Sequence, residues 1–229
     1  MISVVIPTLN AASELTATLV ALVPGVVCGV IREVIIVDGG STDRTLDIAE
    51  SSGARIIRAE CGRGKQLAAG AEQARGEWLL FLHADTALGT GWEDEARIFM
   101  KRVETGERPQ AAAAFRFALD DLGFLPRLIE FGVAWRCAVF RMPYGDQALL
   151  IPRPLYRQAG GYKPLPLMED IDLNRRIGRR RIAILRTGAL TSAVRYKRDG
   201  YANRVLRNWM CLMLYYCRVP TSRIAEIYF

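Results

Sequence analysis

Short apolar runs that end abruptly in polar residues set the strongest limit on how this chain can fold. Ser3-Val4-Val5-Ile6-Pro7, Glu33-Val34-Ile35-Ile36-Val37-Asp38 and Trp78-Leu79-Leu80-Phe81-Leu82 are apolar at successive positions rather than alternate ones, the pattern of strands covered on both faces. Helical spacing lies between them. Ser13 precedes Leu15, Leu19, Leu22 and Val23 and is placed to cap a helix that ends near Val23, where Pro24, Gly25 and Gly29 interrupt the pattern. Those breaks also argue against a membrane span over the uncharged stretch Leu15 to Ile31. Thr42-Asp43 opens a second helix through about Ser51, with Ser41 or Thr42 as its cap. Arg55 to Arg58 reads as a strand and Lys65 to Ala74 as a third helix. Strands alternating with helices give βαβ units, so the expected class is α/β with a mostly parallel sheet flanked by helices.

Beyond Asp85 the pattern is less regular. The spacing predicts a helix over Trp92 to Glu104, strands near Ala111 to Phe117 and Ala148 to Ile151, and a helix near Asp170 to Ile177. Short strands near Ile182 to Leu185 and Ser192 to Tyr196 are expected to follow. Leu125 to Phe140 and Ala202 to Cys217 read as helices that are unusually apolar or aromatic. Core packing or dimerisation is the commoner reason for such stripes, with peripheral contact to a membrane surface as the alternative. At 229 residues the expected organisation is one domain over 1–199, with a C-terminal helical extension over 200–229 packed on it.

In open parallel sheets ligands bind outside the carboxyl ends of the strands, where loops and helix N-termini converge. Three polar stretches fall there: Pro7-Thr8-Leu9-Asn10, Asp38-Gly39-Gly40-Ser41-Thr42-Asp43 and His83-Ala84-Asp85. Asp38 and the hydroxyls after it suit a ribose or base, although Gly39-Gly40-Ser41 also reads as a plain turn into a helix. Asp85 is held by the apolar strand before it. Hard cations take oxygen ligands and often need only one or two protein carboxylates beside substrate phosphates, so Asp85 suffices for Mn2+ or Mg2+. His83 is the only histidine, which excludes histidine-cluster zinc sites. Glu169-Asp170 opens a helix and suits either a general base or the helix dipole.

Lys and Arg outnumber Asp and Glu 31 to 24, a net charge of +7, which favours anionic ligands such as nucleotide phosphates or an anionic lipid surface. No helix-turn-helix or aromatic-basic pattern accompanies the charge, so no nucleic-acid partner is expected. The five cysteines form no CxxC pair and the N-terminus lacks the flanks of a signal peptide, which points to a reduced, cytoplasmic setting, with the inner face of the membrane as a peripheral alternative. The first strand turn lacks G-x-G-x-x-G and no G-x-x-x-x-G-K-[ST] occurs, so dinucleotide-linked oxidoreductases and ATP-cleaving P-loop enzymes lose ground.

Taken in order, Ser3-Val4-Val5-Ile6-Pro7-Thr8-Leu9-Asn10, Val37-Asp38-Gly39-Gly40-Ser41-Thr42-Asp43, Phe81-Leu82-His83-Ala84-Asp85-Thr86, Gly160-Gly161-Tyr162 and Met168-Glu169-Asp170 closely resemble family 2 glycosyltransferases of the Rossmann-like GT-A fold. The His83-Ala84-Asp85-Thr86 form, with Gly62-Arg63-Gly64-Lys65-Gln66 before it and Tyr144-Gly145-Asp146-Gln147 after it, resembles a small bacterial subgroup associated by name with arsenosugar biosynthesis. The resemblance implies a nucleotide-diphosphate sugar as donor, a hexosyl transfer with inversion, and an acceptor of unknown identity. It implies Pro7, Thr8, Asn10, Asp38 and Arg63 around the nucleotide, with Arg195 near the diphosphate. Asp85 becomes the metal ligand as the last residue of the DxD motif, and Asp170 the catalytic base. Asp146, Gln147 and Glu169 fall beside the acceptor or behind the residues that touch it. His83 replaces the motif's first aspartate, where an imidazole can meet the ribose, coordinate Mn2+ more readily than Mg2+, or pack. A nucleotide-sugar-binding protein without transferase activity and a nucleotidyltransferase are the alternatives.

Overall fold

The computed structural model describes residues 1–228. Eight strands form one sheet: β1 (Ile2–Thr8), β2 (Ile31–Asp38), β3 (Arg55–Arg58), β4 (Trp78–Phe81), β5 (Thr86–Leu88), β6 (Ala112–Asp120), β7 (Leu149–Pro152) and β8 (Ile182–Ser192), in the order β3-β2-β1-β4-β7-β6-β8-β5. The first four positions in that order are all parallel neighbours, and β6 also runs parallel to β8. Antiparallel pairing is confined to the contacts of β7 with β4 and β6, and of β5 with β8. The sheet is therefore mostly parallel and flanked by helices, a GT-A type arrangement.

The uninterrupted apolar runs are explained by two cores. Val4, Ile6, Leu80 and Leu82 enter one, with Leu15, Leu22, Trp92 and Phe99, under α1 (Ala12–Val27) and α4 (Trp92–Glu104). Val5, Leu79 and Phe81 enter the other, with Leu67, Tyr156 and Leu173, under α3 (Arg63–Gln73), α6 (Arg153–Gln158) and α7 (Glu169–Ile177). With both faces covered, alternation disappears. The register Val5↔Phe81 and Thr8↔Asp38 brings the ends of β1, β2 and β4 out along one edge.

Four local expectations are corrected. α1 continues through Pro24 to Val27, because the carbonyl freed by the proline sits at Val20, 62% exposed to water, and the buried Gly25 lets the Trp92 ring come close enough that a Cβ would lie 2.6 Å from it. Ser13 does not cap α1; the loop after β2 does so instead, Asp43 Oδ2 accepting from Ala12 N at 3.1 Å and Thr45 Oγ1 from Ala11 N at 2.8 Å. The following helix, α2 (Thr45–Ser51), accordingly starts later than Thr42 and is capped by neither Ser41 nor Thr42. Finally, the short strand expected at Ile182 to Leu185 runs on to Ser192 as β8, and the second one, expected over Ser192 to Tyr196, falls mostly in a helix, α8 (Val194–Asp199). Across β8 the register jumps from Ala114↔Ile184 to Arg116↔Gly188. Glu95 of α4 satisfies that bulge, accepting from Arg186 N and Thr187 N at 2.8 Å each.

The remaining helices are α5 (Phe124–Phe140), α9 (Tyr201–Tyr216) and α10 (Thr221–Tyr228). Cys211 of α9 and Ile224 of α10 are fully buried against Leu167, just before α7. No helix of the described residues is long and apolar enough to cross a membrane.

Candidate active site

The loops after β1 and β2 brace each other. Asp38 is buried, and its Oδ2 accepts from Gly40 N and Ser41 N at 2.9 Å each, while Oδ1 accepts from Ser41 Oγ at 2.5 Å and Thr8 Oγ1 at 3.2 Å. Burial would raise its pKa, but these donors outweigh burial and hold the carboxyl below its ordinary range. Asn10, with φ +50°, reaches across so that its Oδ1 accepts from Thr42 N at 2.8 Å and its own N–H donates to Ser41 Oγ at 2.9 Å. Beneath them the buried Gln66 of α3 donates through Nε2 to the carbonyls of Thr8 and Val37, at 2.8 and 2.7 Å.

Beside these loops a cavity of about 110 Å3 opens at the end of β4. Asp85 lies on its wall, with Oδ2 3.8 Å from Arg195 Nη2 and its carbonyl accepting from Ser192 N at 3.0 Å. The end of β8 thus fastens the Asp85 loop. Opposite, Asp170 sits in the first turn of α7, its Oδ1 accepting from Ile171 N at 2.7 Å and its Oδ2 from Gly145 N at 2.6 Å. One lone-pair direction on each oxygen remains. Gly145 is pressed between His83 and Asp170: a Cβ there would lie 2.6 Å from His83 Nε2 and 3.3 Å from Asp170 Oδ2.

Acidic and basic groups alternate around the cavity. Arg63 Nη1 stands 3.4 Å from Oε1 of the buried Glu169. Burial raises the Glu169 carboxyl to about 7 against the opposing charge of Arg63. Burial also lowers the His83 imidazole to about 3, helped by the Arg63 charge, so it is neutral at physiological pH. Asp146 is raised to about 6, first by burial, with Arg136 opposing and Asp170 and Asp85 adding repulsion. Its Oδ1 is buried without a protein hydrogen-bond partner.

The structure gathers Arg63, His83, Asp85, Asp146, Glu169, Asp170 and Arg195 around this one cavity. Pro7, Thr8, Asn10 and Asp38 stand outside it, on β1 and the adjoining loops. Gln147 turns away and latches three elements, its Oε1 accepting from Arg136 Nη2 at 3.2 Å and Tyr144 N at 3.2 Å and its Nε2 donating to Phe115 O at 3.0 Å. Sequence reasoning missed Arg204, Asn208 and Tyr228, which close the cavity from α9 and α10. One signal existed: Arg204 and Asn208 lie four apart and so share one face of the helix.

Among the described residues no three His, Cys, Asp or Glu side chains converge as a ready-made metal cage. Asp85, on the cavity wall beside two guanidinium groups, suits a hard cation that takes its remaining oxygens from a bound diphosphate.

Residues 3–121 match the family model described as Glycosyl transferase family 2. A curated relative, the PGL/p-HBAD biosynthesis glycosyltransferase of Mycobacterium bovis (strain BCG / Pasteur 1173P2), is 44% identical over 95 residues, 38% of this chain and 36% of the relative. The chain therefore spans about a third of the length of that relative. Among solved structures, S. aureus TarS 1–349 superposes with a TM-score of 0.61 at 17% identity, covering 99% of this chain and 70% of that one. Glucosyl-3-phosphoglycerate synthase from Mycobacterium tuberculosis, in complex with Mn2+ and UDP-glucose, superposes with a TM-score of 0.61 at 21% identity, covering 96% and 80%. These superpositions establish a shared GT-A fold.

Proposed function

Because the chain belongs to glycosyl transferase family 2, we propose that it moves a hexosyl group from a nucleoside-diphosphate sugar to an acceptor hydroxyl, with inversion at the anomeric carbon. The observation that carries this reading is the one cavity lined both by Asp85, flanked by Arg195, and by Asp170. The loops of Asn10 and Asp38 suit the base and ribose. With its own carboxylate saturated by Thr8, Gly40 and Ser41, Asp38 acts there by shaping the loop. Pro7 and Thr8 supply the floor. The neutral His83 can offer one N–H to the ribose.

In the transfer, the bond from the anomeric carbon to the diphosphate oxygen breaks as a bond to the acceptor oxygen forms. The acceptor's proton passes to a free lone pair of Asp170. Arg63 and Arg195 meet the negative charge that develops on the leaving diphosphate, and Glu169 holds Arg63 in place. Mn2+ or Mg2+, with Asp85 as its protein ligand, supplies Lewis-acid neutralisation of the diphosphate. That a GT-A relative of known structure holds Mn2+ with UDP-glucose supports the same choice here. Residues 1–199 are read as the transferase domain and 200–229 as an extension that completes its cavity, supported by the lining positions of Arg204, Asn208 and Tyr228. Placement in the subgroup associated by name with arsenosugar biosynthesis rests on His83-Ala84-Asp85-Thr86 and Tyr144-Gly145-Asp146-Gln147. The matching mycobacterial relative carries a different pathway in its name.

The test is a panel of UDP-, GDP- and dTDP-sugars with Mn2+ or Mg2+, read as release of the nucleoside diphosphate. At least one donor is expected to turn over with metal and to stop on chelation. Tight nucleotide binding without turnover of any donor would leave a binding protein in place of an enzyme.

A further inference from the structure

We infer that the trough between α5 and α9 holds the apolar body of an amphipathic acceptor, whose hydroxyl reaches the cavity at Asp146. The inference rests on the transferase reading above and names the class of molecule that its acceptor belongs to. The trough encloses about 770 Å3 and is walled by Leu128, Val133 and Trp135 from α5 and by Val205, Leu206 and Trp209 from α9. It continues past Trp135 and Trp209 into a hollow of about 630 Å3 lined by Phe140, Leu212 and Met213. Small-molecule sites have this size and this apolar character.

Two observations fix the occupant. The trough is continuous with the reacting cavity: Tyr144, Asp146, Tyr196 and Asn208 line both. A molecule lying between the helices thus ends at the carboxylates and not at a remote surface. Two buried polar atoms lack a protein hydrogen-bond partner there, the acceptor Asp146 Oδ1 at the junction and the donor Arg136 Nε on the trough wall beside it, where the guanidinium lies over the Tyr144 ring. One acceptor and one donor at the mouth of an apolar trough match a molecule with a hydroxylated head and an apolar body. The walls are uncovered in the isolated chain: Leu128 is 52% exposed, Trp135 55%, Leu206 69% and Trp209 53%.

The distribution of tryptophan supplies the readout. Trp78 and Trp92 are buried in the core, whereas Trp135 and Trp209 line the trough. The full-length chain, with UDP and Mn2+, is titrated with n-alkyl β-D-glucopyranosides from hexyl to decyl below their micelle concentrations, and tryptophan fluorescence is followed. Each added methylene is expected to tighten binding roughly fourfold, from about 0.8 kcal/mol per buried CH2. Gly132 lines the trough and a Cβ there meets nothing within 4 Å, so Gly132→Phe is expected to abolish the chain-length dependence while UDP binding stays unchanged. Leu206→Gln, at an exposed wall position, is expected to weaken decyl glucoside several-fold, and a UDP thermal shift verifies that each variant is folded. Flat chain-length dependence, or Gly132→Phe binding decyl glucoside like the wild type, overturns the inference. So does affinity for anionic vesicles without affinity for alkyl glucoside monomers, or a dimer that shields both tryptophans, since either makes the face a membrane or self-association surface. Failure of every donor to turn over is a separate result, counting against the transferase reading alone.

Discussion

Asp170, proposed above as the base, has little freedom of movement. Two backbone N–H groups fix its carboxylate, one from its own helix and one from Gly145, and the side chain keeps a lone pair on each oxygen. Asp170→Asn keeps the size of the side chain and one accepting oxygen, sets an NH2 against the other backbone N–H, and removes the basicity. Transfer is expected to fall by about 10^2 to 10^4 in kcat, with the dissociation constant for UDP unchanged, as checked by steady-state kinetics beside calorimetry. Near-normal turnover would remove Asp170 from the role of base. Asp146 behaves differently because burial raises its carboxyl to about 6. The folded state therefore holds a proton that the unfolded chain releases nearer pH 4, and the stability associated with that proton is present at low pH and lost as pH rises through about 6. Asp146→Asn is expected to be more stable than wild type at pH 7 by roughly 1–2 kcal/mol and close to it at pH 4, measured by urea denaturation at both pH values. Asp38, Asp85 and Asp170 were legible in the sequence because each follows a strand or opens a helix, whereas Asp146 came only with the resemblance. The role of Gln147 as a latch was not, because its partners Phe115 and Arg136 come from distant segments.

At the scale of elements, strands whose two faces are both covered were readable because apolar residues dominate both faces. Trp78-Leu79-Leu80-Phe81 is the clearest case. The sequence reading ended the strand at Leu185, whereas the structure carries Arg186-Thr187-Gly188 through as a bulge of β8 whose amides are satisfied by Glu95, far away in sequence. The same limit hid the capping of α1 by Asp43, since a helix end can be capped by a neighbouring loop and not only by its own preceding residue. Glu95→Ala is expected to leave two amides and the Thr187 hydroxyl without this partner, at a cost of about 1–3 kcal/mol. The check is a lower urea midpoint with an unchanged denaturant slope. An unchanged midpoint would mean that water replaces Glu95 at no cost.

For the whole molecule, the parallel half of the sheet followed from the alternation of strands and helices, while the insertion of β7 between β4 and β6 did not, because it pairs residues far apart in the chain. α9 and α10 return to close the cavity with Arg204, Asn208 and Tyr228. A chain ending at Asp199 is therefore expected to melt at a lower temperature and to lose the thermal shift that UDP with Mn2+ gives the intact protein; full retention of that shift would show the extension to be dispensable for the donor. The strand order also bears on synthesis. β4 is a central strand only once β7 has paired with it, and the register Phe81↔Leu149 means that roughly seventy residues must follow β4 from the ribosome before its partner appears. At 5–20 residues per second that edge stays open for about 3–14 s, presenting Trp78-Leu79-Leu80-Phe81 as an unpaired apolar ribbon. The nascent chain is thus most vulnerable to aggregation while the strand that later carries Asp85 at its end is still waiting for its neighbour.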